Sequence, residues 1–129
     1  MTELQRAKDK ADKYFSLYVR QRDAVNGIVK CCTCGQWHHW KQMDAGHFMS
    51  RRYEATRFDE MNTGPQCRAD NRYNQGRQFE MSKYLDKKYG FGTASKMEMK
   101  SKMFCKRDRF DYEHIADTFK NKLTSLLNN

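Results

Sequence analysis

The sequence has almost no proline and no long apolar run. Pro65 is the only proline in 129 residues, and no stretch approaches the roughly 18 apolar residues that span a bilayer. The opening TELQRAKDKADKY also has no apolar core of the signal-peptide kind. Both absences predict an intracellular protein with no membrane partner. No internal repeat, low-complexity tract or linker breaks the chain, so its length predicts a single domain over residues 1–129. The five cysteines are odd in number, which argues against a closed disulfide framework. Acidic residues are the minority charge: 16 Asp and Glu stand against 25 Lys and Arg, for a net +9. The excess is +3 in residues 1–30, +1 in 31–76 and +5 in 77–129, so the middle is nearly balanced. A basic excess of this size points first to a polyanion, of which nucleic acid is the commonest. The 38% apolar and 13% aromatic content excludes a disordered tail.

Periodicity divides the chain into three parts. Leu4, Ala7, Ala11, Tyr14, Tyr18 and Val25 recur at helical spacing, predicting a helix over 3–26 that Gly27 stops, so that 1–27 forms an N-terminal helical part. Residues 28–77 form a core. In it, Ile28-Val29 and the aromatics around Gly35 predict a short hairpin within 28–48, followed by a polar loop over 49–66. Residues 78–129 are a helical C-terminal part: a helix over 69–89 ends at Gly90, and two more follow over 93–104 and 111–127. Asp111 is a good N-cap for the last helix. Its stripe of Tyr112, Ile115, Ala116, Phe119, Leu123, Leu126 and Leu127 reads as core or as a dimer seam. The fold class is α+β, a metal-pinned hairpin flanked by helices.

Cysteine spacing carries the first chemical signal. Cys31-Cys32-Thr33-Cys34-Gly35 contains C-x-x-C before glycine, the turn that brings two thiolates onto one tetrahedral ion. Instead of a second C-x-x-C the chain offers Cys67-Arg68-Ala69-Asp70, and a carboxylate is an acceptable zinc ligand. Cys31, Cys34, Cys67 and Asp70 are therefore the candidate Zn²⁺ ligands; the alternative is a metal-free set of packed cysteines. Cys32 should point away from the ion, and Cys105 reads as an ordinary half-buried cysteine.

A second ordered set lies between the knuckle halves: Asp44-Ala45-Gly46-His47, then Asn62, then Asp70-Asn71. Phosphodiester hydrolysis needs a base for water, which histidine can supply near neutral pH, and a hard cation at the phosphate and departing oxygen. The oxygen donors of Asp44 and Asn71 suit Mg²⁺ or Mn²⁺. Taken alone, a histidine beside glycine is more often a structural or surface group, and Asn62 and Asn71 are more often turn or cap residues.

Taken with the knuckle, CCTCG, DAGH, RFDEMN and QCRADN, with a glycine five residues after the last Asn, resemble the HNH endonucleases of ββα-metal fold. The likeness is closest to the lambda-type NinG (Rap) phage recombination endonucleases, and the N-terminal helix and DYEHIADTFKNKL extend it over almost the whole chain. The resemblance implies His47 as general base, Asn62 as the brace of its loop, and Asn71 as catalytic cation ligand; Asp44 is our second ligand. The family's second knuckle has Cys where this chain has Asp70. Many HNH sites have Asp directly before the base, where this chain has Gly46. His38 and His39 read as hairpin-tip residues. By resemblance Arg51 and Arg52 contact phosphates, and Arg57 and Arg72 extend that DNA-binding set; a solvated basic loop is the plainer reading. The lysine-rich run from Lys96 to Arg109 either enlarges the footprint or only keeps a helix soluble.

The resemblance implies a phage-encoded endodeoxyribonuclease acting on branched DNA, Holliday junctions or D-loops, in the bacterial cytoplasm; two strands cut symmetrically at a junction suggest a homodimer. Two other readings stand beside it. One is a nonspecific or restriction-type HNH nicking enzyme. The other is a non-catalytic, zinc-stabilised DNA-binding module, which would have no use for Asp-x-x-His beside an amide ligand.

Overall fold

A computed structural model of the protein describes residues 1–128. Helix α1 spans Glu3–Gln21, and Thr2 caps it by accepting from the Gln5 amide. Ala7, Ala11, Phe15 and Val19, each four residues from the last, form its buried stripe. The helix stops five residues earlier than its spacing predicts. Asn26 and Gly27 are both left-handed (φ +52° and +79°), and the turn they make pairs Val25 with Ile28.

The expected single hairpin is two separate sheets. Strand β1 (Ile28–Lys30) pairs antiparallel with β2 (Trp37–His39), and the C-x-x-C turn joins them. His39 lies opposite Ile28, at the end of the hairpin away from that turn, so His38 and His39 are not tip residues. His39 instead packs over Gly27 and accepts from the Lys41 amide, which gives it a local structural partner. Strand β3 (Met43–His47) pairs with β4 (Thr63–Cys67), a strand lying in what the sequence reads as polar loop. That stretch also holds helix α2 (Glu54–Arg57) and a 3₁₀ turn over Glu60–Asn62.

The helix expected over 69–89 is broken. Helix α3 (Arg68–Arg72) follows β4 directly; Gln75, Gly76 and Arg77 are then left-handed in succession, and α4 spans Gln78–Tyr89. Helix α5 (Thr93–Ser101) and α6 (Arg109–Leu127) complete the chain. The cap of α6 is Asp108, not Asp111. Asp111 sits three residues on and returns the hydrogen bond, forming a capping box.

Tyr112, Ala116 and Phe119 of α6 are buried against α1, with the rings of Phe15 and Phe119 edge to face at 4.8 Å. This part of the stripe is core, so it offers no dimer seam; only its end, with Leu127 64% exposed, faces solvent. A second core joins Phe48 to Met81 and Leu85 of α4 and to Ala94 and Met97 of α5. A third, smaller one joins Val29, Cys31 and Met43. The order β3, β4, α3 places two antiparallel strands and a short helix side by side, and Asp44, His47, Cys67, Asp70 and Asn71 lie on them. Among the described residues, no helix is long and apolar enough to cross a membrane.

Candidate functional site

Cys31 and Cys34 come from the turn after β1, Cys67 from the end of β4 and Asp70 from α3. One ligand atom from each lies within 4.8 Å of all the others. Sulfurs bound to one tetrahedral zinc at about 2.3 Å lie about 3.8 Å apart. The Cys34 and Cys67 Sγ atoms are 3.8 Å apart. The donor set therefore fits a metal ion such as zinc. The surroundings favour ionisation of Cys31: burial works against its thiolate, but the contact with the Thr33 side chain and bonds from the Cys34, Cys67 and Thr33 amides outweigh it and bring the thiol to about 7. Burial and the Cys31 charge push Cys67 up to about 12, a conflict between neighbouring thiolates that a dication resolves. The Thr33 hydroxyl donates to Asp70 Oδ2 (2.7 Å) and Asn74 Nδ2 to Oδ1 (3.0 Å), which fixes the carboxylate. Cys32 turns away and packs against Met81; Cys105 is half-buried and far from the cluster in sequence.

Asp44, His47, Asn71 and Arg72 line one open cleft of about 700 Å³ beside β3, together with Arg51 and Arg68. His47 Nε2 lies 2.9 Å from the Arg57 carbonyl oxygen. Nδ1 lies 3.3 Å from the Ala45 carbonyl oxygen, so one proton serves only one of the two carbonyls. Placed on Nε2 it makes the shorter bond and leaves the Nδ1 lone pair, to which a carbonyl cannot donate, as an acceptor. Burial, with Arg51 and Arg57 nearby, lowers His47 to about 4, so the imidazole is neutral at pH 7. Asp44 accepts from Arg72 Nε and Nη2 (2.9 and 3.0 Å) and from Asn71 Nδ2 (3.0 Å). Burial opposes its ionisation, but these bonds win and hold the carboxyl below the usual range. Asn71 spends its amino group on Asp44, which leaves its amide oxygen for a cation. Oxygens from one carboxylate and one amide, next to a neutral imidazole, are donors that suit Mg²⁺ or Mn²⁺.

Asn62 lies outside the cleft and is wholly buried. Its side chain takes the Met49 amide (2.8 Å) and donates to the Met49 and Thr56 carbonyls (3.0 and 3.2 Å). It thus ties both ends of the loop that supplies the Arg57 carbonyl to His47.

A family profile described as the bacteriophage lambda NinG protein matches residues 2–129. The chain belongs to this NinG family. No curated protein and no solved structure matches it.

For this NinG-family chain the structure corrects one predicted DNA contact. Arg57 does not face outward: it forms a two-pronged pair with Asp12 of α1 (2.9 and 2.5 Å), and its third nitrogen donates to the Arg51 carbonyl (2.6 Å). Arg51 and Arg52 are exposed, and Arg72 is half exposed while holding Asp44. Sequence reasoning missed three contributors. Arg20 of α1 lines the cleft, but in sequence it reads as a solvated helix face. Arg68 approaches Asp44 at 4.0 Å. Buried Gln66 donates to Thr33 and to the Gly76 carbonyl, linking knuckle to helix break. Gln66 also explains Gly46, where a Cβ would stand 2.3 Å from its Oε1. An aspartate before the base has no room here.

Proposed function

We propose that this NinG-family chain is an HNH-type, metal-dependent endodeoxyribonuclease that hydrolyses branched recombination intermediates, such as Holliday junctions or D-loops, during phage recombination in the bacterial cytoplasm. The observation that carries the nuclease reading is the meeting of a neutral His47, Asp44 and Asn71 in one open, arginine-lined cleft. The order strand, strand, short helix agrees with a ββα-metal core. The branched substrate is read from the resemblance to NinG recombination nucleases, and cutting two strands symmetrically at a junction suggests a homodimer.

In this reading Arg51 and Arg52 hold phosphates of the bound strand. His47, oriented by the Arg57 carbonyl, takes a proton from water at Nδ1, and that water attacks phosphorus. Asp44 and the Asn71 amide oxygen would hold Mg²⁺ or Mn²⁺, which supplies positive charge at the phosphate and the departing 3′ oxygen. Arg72, half exposed, exchanges Asp44 for a phosphate oxygen as the cleft fills. The products carry 5′-phosphate and 3′-hydroxyl ends.

Single-turnover cleavage of a four-way junction, with linear duplex of matching sequence beside it, tests the reading. His47→Ala should bind the junction as the wild type does and cut it about 10²–10⁴-fold more slowly. Rates within about threefold of wild type remove His47 from the chemistry, since that gap is under about 1 kcal/mol of barrier. Equal cutting of junction and duplex favours a nonspecific nicking enzyme. Tight binding with no cutting in Mg²⁺ or Mn²⁺ favours a DNA-binding module.

A further inference from the structure

Phenylalanines of this chain have opposite fates. Phe15, Phe48 and Phe58 are 1%, 8% and 8% exposed, whereas Phe91, Phe104 and Phe110 are 99%, 92% and 65% exposed. Each exposed ring forgoes about 1.5–3 kcal/mol of burial. Phe91 stands between Gly90 (φ +114°) and Gly92 (φ +95°) in the turn from α4 to α5, a backbone that glycine adopts freely on both sides of the ring. Phe104 lies in the irregular segment between α5 and α6, with exposed Lys102 and Lys106 on either side in sequence.

The segment that carries these rings is basic, although Lys100, Arg107 and Arg109 are paired with acids. Residues 91–110 hold six cations and two acids, a net +4. Lys96, Lys102 and Lys106 are exposed and make no ion pair among the described residues. A ring with nothing over it and a lysine with no partner are the two halves of what an unpaired nucleic acid strand requires. The ring offers a stacking face to a base, and the ammonium neutralises a phosphate. Duplex DNA keeps its base faces covered. A second copy of this chain would bring the same positive charge to the patch and be repelled.

We propose that residues 90–110 form a binding surface for unpaired DNA bases, in which Phe91 and Phe104 are stacking faces and Lys96, Lys102 and Lys106 contact phosphates. It rests on DNA being the substrate and gives the chain a means of recognising a branch, where pairing is interrupted. The surface is separate from the cleft, so its residues take no part in the hydrolysis.

The full chain should be titrated against a labelled oligothymidylate of about twenty nucleotides and against a fully paired duplex of that length, followed by fluorescence anisotropy. Phe91→Ala and Phe104→Ala should each weaken oligothymidylate binding by about five- to a hundredfold while duplex affinity stays within about twofold. Phe91→Trp should keep the binding. Equal weakening on both probes, or no weakening on either, overturns the proposal. So does a double Phe→Ala variant whose sedimentation changes while its oligothymidylate affinity does not, because the patch is then a contact between copies. If the wild type binds neither probe nor a junction, the DNA reading itself falls; if it binds duplex and junction but not oligothymidylate, only this surface does.

Discussion

The four-donor cluster and the open cleft share helix α3, yet they are built in opposite ways. In the cluster, Cys31 and Asp70 are buried and all four donors converge within 4.8 Å. In the cleft, Asn71 and the half-exposed Arg72 both donate to Asp44, and the two nitrogens of His47 lie against the Ala45 and Arg57 carbonyls. A closed donor set suits a structural ion and an open one a reaction. The two meet at one peptide bond: Asp70 faces the cluster and Asn71 faces the cleft. Pinning Asp70 therefore aims Asn71, and the knuckle sets the geometry of a site to which it contributes no donor.

Breaking the cluster should have the largest effect. Protein purified without added metal should carry close to one zinc per chain, and Cys67→Ser should lose it together with more than about 4 kcal/mol of stability, the range reached when a structural metal is lost. Cys105→Ser, outside the cluster, should leave both unchanged. Elemental analysis and thermal melts make the measurement. Less than about 0.2 zinc per chain in a well-folded wild type removes the metal from the comparison.

Acid should separate the two sites next. His47 titrates at about 4 in the folded chain against about 6.5 when exposed, because burial disfavours its charged form. Between those values the unfolded chain binds the extra proton, so this contribution is complete above about pH 6.5 and is lost as pH falls toward about 4. The loss is about 3 kcal/mol at one pKa unit per 1.36 kcal/mol. His47→Gln, which can still donate to the Arg57 carbonyl, has no such titration. Denaturant melts of both proteins from pH 7 to pH 4 should show the wild type losing more stability by about that amount; parallel curves would contradict a buried neutral imidazole.

How much of this was legible in the sequence follows from the range of the interaction. The four donors of the cluster are visible because thiolate spacing around a glycine turn is a local signal. Asp44, His47 and Asn71 are visible only as an ordered set. Helices α1 and α6 show their apolar stripes, although the cap of α6 lies three residues before the expected one because Asp108 and Asp111 share the capping box. Strand β4 is hidden. Thr63-Gly64-Pro65-Gln66 is buried on both faces, so it shows no alternation, and its Gly-Pro pair reads as a turn. The break before α4 depends on three left-handed residues, of which only Gly76 announces itself. Arg57 could not be read correctly at all. Its partner Asp12 lies 45 residues away, and nothing local distinguishes an inward arginine from an outward one.

That contrast among arginines supplies the smallest and most selective test. Arg51 and Arg52 are exposed, Arg51 lining the cleft, whereas Arg57, six residues after Arg51, is locked between Asp12 and the Arg51 carbonyl. Contacts to phosphate give affinity that falls with salt by a log–log slope of roughly −0.9 per phosphate neutralised, with little sequence information. Replacing Arg51 and Arg52 together by Ala should flatten the slope by about 1.8, weaken all sequences alike and leave the melting temperature nearly unchanged. Arg57→Ala should do the reverse. It removes a partly buried pair and frees Asp12, so it should lower stability by about 1–3 kcal/mol while the salt slope holds. Duplex binding across a salt series, with a melt of each variant, separates the two outcomes. If Arg57→Ala flattens the slope as much as the double change does, its bond to Asp12 gives way when DNA arrives and the inward assignment is wrong. If the double change instead alters sequence preference at constant slope, Arg51 and Arg52 read bases rather than hold phosphates.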